Sequence, residues 1–175
     1  MSDAHEAQEN TVEQVITRAR NLLDDCWDDE NDIDRAERLL QDVMFIAPER
    51  GAIWQGLGDV RWLNGEHDIA LAHYERARDL GVDNAALWGR MATSYAEFHQ
   101  RDDALAAIDR ALRLAPADES ALDYFILIVS KLKLWNEPTV REQALRVANR
   151  AEELASQELF VQGRVIGILV KLRTW

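Results

Sequence analysis

Apolar residues return at helical spacing along this chain, and one block of them occurs twice. Within residues 51–84 the apolar positions fall three or four apart, so they share one face of each of two helices, with the turn signal Asn64-Gly65 between them. The same pattern returns 34 positions later, within residues 85–118. The matched positions are Trp54, Leu57, Gly58, Ala70, Tyr74 and Ala77 in the first block and Trp88, Met91, Ala92, Ala104, Ile108 and Ala111 in the second. Each block therefore predicts one antiparallel helical hairpin.

Small residues mark the places where the two helices of a hairpin approach each other. Gly58 and Ala70 leave little side-chain bulk between the helices, as do Ala92 and Ala104 in the second copy. One hairpin cannot bury its apolar face alone, so successive copies must stack. The sequence therefore predicts an all-α protein, an antiparallel helix-turn-helix solenoid.

The spacing and the residue sizes together resemble the tetratricopeptide repeat (TPR), a helix-turn-helix unit of about 34 residues. The second copy also closes on Pro116, in agreement with that pattern. The resemblance implies a TPR-like superhelix in which the first helices of successive units line a concave groove. In that family the groove holds extended peptides or helices of other proteins.

Weaker copies flank the two clear ones. Residues 17–50 contain a good second helix but an unusual first one, as is expected of a terminal repeat. Residues 119–156 start in register, but six residues are inserted around Trp135 to Pro138 in the predicted turn, and Thr139 is then placed to cap the next helix. We expect a flexible acidic tail at 1–10 and a single domain over 11–175, with repeats at about 17–50, 51–84, 85–118 and 119–156.

The last segment, residues 157–175, predicts a helix that is apolar over a broad arc. A solenoid normally ends in a polar cap, so this helix has three possible places: over the fourth repeat, in the groove, or against another chain. The residues predicted to form an oligomer or partner interface are Val161, Val165, Ile168, Leu169, Leu172 and Trp175.

The formal net charge of −12 changes the expected partner. Nucleic acid and anionic membrane surfaces are disfavoured because phosphate binding needs a basic stripe. A basic or apolar segment of another protein fits better. The acidity also has a simpler interpretation, which is that it keeps a helical protein soluble.

The sequence indicates the cellular compartment of the protein only indirectly. The single cysteine, Cys26, excludes an internal disulfide, the first ten residues are polar and acidic unlike a signal peptide, and no run is long and apolar enough to span a bilayer. We expect cytoplasmic residence.

Candidate chemistry is sparse. No two of the four histidines have the one-turn spacing of a helical metal site, and there is no phosphate loop or nucleophile elbow. Asp28, Glu30 and Asp32 have the spacing of a calcium loop, but Ile33 stands where that loop requires glycine. We expect no enzyme activity, no cofactor and no metal.

What remains for function is the predicted groove. Trp62 and Tyr124 are predicted to anchor apolar groups, and the acidic residues to attract basic ones. The residues predicted to contact a partner are Asp25, Gln55, Asp59, Trp62, Arg90, Thr93, Glu97, Asp123, Tyr124 and Leu127. The family's carboxylate clamp for the acidic C-terminus of a heat-shock chaperone is not expected, because only Asn21 and Arg90 have suitable character.

Three functions are compatible with these features. The first is a protein-interaction scaffold or adaptor that binds an extended or helical segment in its groove. The second is a bacterial secretion chaperone similar to those of type III translocators, which look like three such repeats with extra helices. The third is a structural oligomer assembled through the apolar C-terminal helix.

Overall fold

The computed structural model describes residues 2–24, 30–154 and 159–174. Within these ranges the side chains of residues 2–8, 30, 152, 154, 159–162, 164, 171, 173 and 174 lie outside the description. The described part of the chain is all-α, with helices and turns and no strand. Its helices are α1 (Ser2–Asp24), α2 (Glu30–Met44), α3 (Gly51–Leu63), α4 (His67–Asp79), α5 (Ala85–Glu97), α6 (Arg101–Leu114), α7 (Glu119–Lys131), α8 (Pro138–Leu154) and α9 (Leu159–Thr174).

The helices form two compact units, and the single domain over 11–175 stays a prediction. Unit 1 is Met1–Val82, with α1 to α4, and unit 2 is Asp83–Trp175, with α5 to α9. One hydrophobic cluster lies within unit 1, from Val12 to Val60, and a larger one lies within unit 2. Each unit therefore has a core of its own.

The repeat period of 34 residues predicted from the sequence is confirmed in the first helices of the central repeats. α3, α5 and α7 begin at the equivalent positions Gly51, Ala85 and Glu119 and have the same length of 13 residues. The turn that follows each of them repeats as well. Gly65, His99 and Lys133 all have positive φ, at 76°, 55° and 57°.

The same backbone hydrogen bonds close all three turns. The amide that follows each positive-φ residue donates to the carbonyl five residues before it: Glu66 to Arg61, Gln100 to Tyr95, and Leu134 to Val129. This is the Schellman ending of a helix, which needs one residue in the left-handed region. The turn geometry therefore repeats even where glycine is replaced by histidine or lysine.

Close packing of α3 against α4 depends on the small residues that the sequence singles out. Ala70 is fully buried, and a β-carbon placed on Gly58 would lie 2.5 Å from Cε1 of the buried Tyr74. The tyrosine ring therefore occupies the space that a side chain at position 58 would need. This part of the prediction is confirmed.

The last hairpin departs from this plan at the position equivalent to Gly58 and Ala92. In α7 this position is occupied by Ile126, and in the described part of the chain α7 and α8 are not closely packed against each other. In the described part of the chain the close neighbour of α8 is α9, and α9 also contacts α7. Gly167 of α9 lies near Ile126, and a β-carbon there would be at an ordinary contact distance of 3.9 Å from Cδ1 of Ile126.

The six inserted residues are divided between the turn and a helix. The Schellman turn ends at Leu134 as in the other repeats, and three further residues precede Pro138, the first residue of α8. The other three lengthen α8, so Ala144 is its seventh residue whereas Ala104 is the fourth of α6. Thr139 is consequently inside the first turn and is not the cap, because proline is favoured at the first helical position.

Side chains cap two of the first helices. Asn84 and Asp118 cap α5 and α7, each accepting a hydrogen bond of 2.8 Å from the amide three residues on. Asp102 lies in the first turn of α6, which begins at Arg101. α1 begins at Ser2 and includes most of the predicted tail, because residues 2–10 contain no glycine or proline to stop a helix.

Candidate protein-binding surface

Unit 2 presents two successive first helices, α5 and α7, packed side by side. Tyr124 of α7 lies so close to Gly89 of α5 that a β-carbon at Gly89 would overlap its ring. Glycine at this position makes room for the ring between the two helices. Tyr124 is therefore half-buried and fixed in position, as a rigid aromatic contact should be.

The ninth residue of each first helix shows how differently equivalent positions are used. Asp59 of α3 is 7% exposed and Thr93 of α5 is 5% exposed, whereas Leu127 of α7 is 51% exposed. The hydroxyl of Tyr74 donates to Oδ1 of Asp59 at 2.9 Å, and Oγ1 of Thr93 donates to the carbonyl of Arg90 at 2.8 Å. Asp59 and Thr93, both predicted to contact a partner, thus lie in the interior, and Leu127 lies on the surface.

The charged residues of this surface are partly paired within the unit. Nζ of Lys131 lies 2.5 Å from Oε1 of Glu97, and these two residues are 34 apart, at equivalent positions of α7 and α5. Arg90 and Asp123 are half-buried. The predicted contact residues of unit 2 therefore surround Leu127 with both signs of charge.

The predicted contact residues of unit 1 differ in how far they are buried. Gln55 and Trp62 of α3 are half-buried, and the Trp62 ring meets the His67 ring edge to face, with centroids 6.4 Å apart. Asp25 lies outside the described residues, and Asp59 is held by Tyr74. In the described part of unit 1, Gln55 and Trp62 are the predicted contact residues that retain exposed surface.

The C-terminal helix α9 folds back over its own unit, which is the first of the three places considered. It packs on α8 and α7, and Nη2 of Arg141 donates to the carbonyl of Leu172 at 2.7 Å. The predicted interface residues that are buried or half-buried in the unit's own core are Val165, Ile168, Leu169 and Leu172. The side chains of Val161 and Trp175 lie outside the description, and Ile166 and Val170 are exposed instead.

Solved structures share this arrangement of helices. The chain aligns over 99% of its length, and over 96% of the other chain, with YrrB, described as a TPR protein with an unusual peptide-binding site, at 19% identity and a TM-score of 0.63. It aligns over 83% of its length, and over 89% of the other chain, with MamA at 14% identity and a TM-score of 0.56. The fold is that of a tetratricopeptide repeat protein.

The same TPR fold occurs inside a much larger enzyme. The chain aligns over 81% of its length with a mutant of the Thermobaculum terrenum O-GlcNAc transferase, at 20% identity and a TM-score of 0.67. It spans 26% of that enzyme. No family model matches the sequence, and no curated protein matches it. At these identities the likeness concerns the TPR fold itself.

In the described ranges every helix is too short or too polar to span a bilayer. No three histidine, cysteine, aspartate or glutamate side chains in those ranges come together as a group that could hold a metal ion. Asp28, the first residue of the calcium-loop hypothesis, lies outside the described residues.

A histidine in unit 1 makes the stability of the TPR fold depend on pH. The His73 ring packs on Trp54, with centroids 5.8 Å apart. Burial lowers the pKa of His73 below its ordinary value of 6.5, and the positive charge of Arg61 adds to this while Glu37 opposes it. As the pH falls, the unfolded chain therefore binds a proton at His73 before the folded chain does. The stability that His73 contributes above its unfolded-state pKa is lost as the pH falls through its lower folded-state pKa.

We expect the substitution His73→Gln to reduce the loss of stability between roughly pH 7.5 and roughly pH 5.5, because glutamine does not titrate. The midpoint of urea unfolding, measured at both pH values for the variant and for the unaltered protein, gives the loss of stability between them. The lost ring contact lowers both midpoints of the variant by the same amount, so it does not affect the difference between the two pH values. An equal loss of stability in the two proteins would contradict the assignment to His73.

Proposed function

We propose that this chain is a protein-interaction scaffold that binds a peptide segment on the first helices of unit 2. The TPR fold supports a scaffold, and a solved structure of this fold, YrrB, is described as having a peptide-binding site. The two first helices of unit 2 pack side by side and carry five predicted contact residues whose side chains are exposed or half-buried. This surface, formed by Arg90, Glu97, Asp123, Tyr124 and Leu127, is called the α5/α7 surface below.

The observation that carries the proposal is the exposure of Leu127. The equivalent side chains of α3 and α5 are polar and buried, yet α7 places a leucine here and leaves half of it in water. Its neighbour one turn back is Tyr124, which is held against Gly89. An exposed aliphatic side chain beside a fixed aromatic ring is the arrangement that anchors a partner's apolar residue.

The charge of the surroundings indicates the rest of the ligand. Asp123 and Glu97 flank Leu127 along the two helices, Glu97 also pairs with Lys131 of the same unit, and the chain as a whole carries −12. A segment with an apolar residue next to lysine or arginine would therefore be steered to this surface and would pair at its rim. This is the basic or apolar protein partner that the sequence predicts.

The proposal can be tested with a random library of twelve-residue peptides displayed on phage. We expect the enriched peptides to combine an apolar residue with basic ones. Leu127→Asp should weaken their binding at least tenfold, about 1.4 kcal/mol, because a carboxylate replaces the apolar anchor.

Leu145→Asp is the matched control, since Leu145 is a leucine of the same unit with a similar exposure of 47%. Its effect should be less than about twofold, well below about 1 kcal/mol. Equal losses for the two variants, or enriched peptides without basic residues, would overturn the proposal.

A further inference from the structure

The second helices of unit 2 enclose a cleft whose chemistry differs from that of the α5/α7 surface. It has a volume of about 350 Å³ and lies between α6 and α8. Its apolar wall is formed by Leu112, Pro116 and Val147. Three arginines also line it: Arg113, Arg146 and Arg150. Three arginines thus lie together in one small cleft, although the chain as a whole has 32 acidic and only 20 basic residues.

Each of these arginines holds a carboxylate of its own helix. Arg113 pairs with Asp109, while Arg146 lies 3.4 Å from Glu142 and Arg150 lies 3.2 Å from Glu153. All three arginine side chains are more than half exposed. Ion pairs of this kind stabilise a fold little, so each arginine can exchange its present partner for a carboxylate from outside.

The two walls of the cleft are joined by a side-chain hydrogen bond. Nε2 of Gln143, on α8, donates to Oδ1 of Asp109, on α6, at 3.2 Å. These residues are 34 apart and both line the cleft. Asp109 therefore forms an ion pair with Arg113 and accepts a hydrogen bond from Gln143. Because this hydrogen bond already joins α6 to α8, the two helices need not move relative to each other for the cleft to accept a ligand.

We infer that this cleft binds an acidic peptide segment, with one apolar side chain on Leu112, Pro116 and Val147 and carboxylates on the arginines to either side. Its volume suits a single large aliphatic or aromatic side chain. The carboxylate is the group that each arginine already holds. A nucleic acid fits less well, because its charged phosphates would have no partner on the apolar wall of the cleft.

This inference is independent of the α5/α7 surface, which is proposed to bind basic segments. A protein with both sites would join two partners of opposite charge through different helices of one unit. Loss of one site should leave the other intact.

Fluorescence anisotropy with a labelled peptide tests the cleft. The probe has one central leucine with three glutamates on either side, and the protein is the full chain. We expect Arg146→Glu combined with Arg150→Glu to weaken binding at least about tenfold. The neutral pair Arg146→Gln and Arg150→Gln should also weaken it, by less. Replacing the central leucine of the probe by alanine should cost at least about threefold.

A matched control has the same change of net charge on unit 1: Arg35→Glu combined with Arg78→Glu, both exposed residues that pair within their own helix. This control, and Leu127→Asp, should retain the affinity of the unaltered chain. Circular dichroism checks that all variants are folded. The inference is overturned by equal losses in the cleft and control variants, by no binding at about 1 mM, or by tighter binding of a DNA oligonucleotide of the same charge.

Discussion

Replacing Tyr74 with alanine should lower the free energy of unfolding by about 3–5 kcal/mol, the cost of removing a fully buried aromatic side chain. The ring is completely enclosed and lies against Gly58, the residue that lets α3 and α4 approach. No side chain at position 58 can fill the space, because glycine has none. Urea unfolding of the full chain measures the loss, and hydrogen exchange should localise it to α3 and α4.

Tyr74→Phe separates the ring from its hydroxyl. The phenylalanine keeps the packing on Gly58 and removes the hydrogen bond to the buried Asp59, so we expect a smaller loss of about 1.5–3 kcal/mol. A loss in the alanine variant below about 1 kcal/mol would show that the ring does not hold the hairpin together. A phenylalanine variant as unstable as the alanine variant would assign the whole effect to the hydroxyl.

Replacing Trp135 with alanine should destabilise unit 2 by about 3–5 kcal/mol for the same physical reason, the loss of a large buried side chain. Trp135 is 3% exposed although it belongs to the insertion. Its ring meets Phe125 edge to face at 6.3 Å between centroids, and its Nε1 donates to Oγ of Ser130 at 3.0 Å. Urea unfolding again gives the free energy, and hydrogen exchange should show the loss in α7 and α8.

Ser130→Ala is the control for Trp135. It removes the hydrogen bond and leaves the indole in place, so it should cost only about 0.5–1.5 kcal/mol. If Trp135→Ala were tolerated as well as Ser130→Ala, the insertion would be an ordinary surface loop and the indole would contribute nothing to the core of the last hairpin.

The insertion shows where the sequence was informative and where it was not. The displaced register of Ala144, Ala148 and Ala151 reveals that six residues have been added. Extra residues are tolerated in the turn between two helices, and the sequence predicts the insertion there. Trp135 is nevertheless buried, because its ring packs on Phe125 of α7 and its Nε1 donates to Oγ of Ser130.

The burial of the predicted contact residues could not be read from the sequence. Helical register placed Leu127, Asp59 and Thr93 at equivalent positions of three first helices. Register does not say whether such a position is covered. Asp59 is buried because a tyrosine on the neighbouring helix reaches it, and Leu127 is exposed because α7 has no such neighbour at that point in the described part of the chain.

The amino-acid sequence by itself determined the repeating unit: its period of 34 residues, the central helical hairpins, and the turn at Asn64-Gly65. A linear pattern displays these features because apolar residues three or four apart share one helix face, and because the same pattern returns at a fixed interval. The tertiary structure alone decided that α9 covers α8, that Trp135 is interior, and that three arginines of α6 and α8 face one cleft. Such features depend on the distance between helices, which is set by side-chain volumes that meet only after the chain has folded.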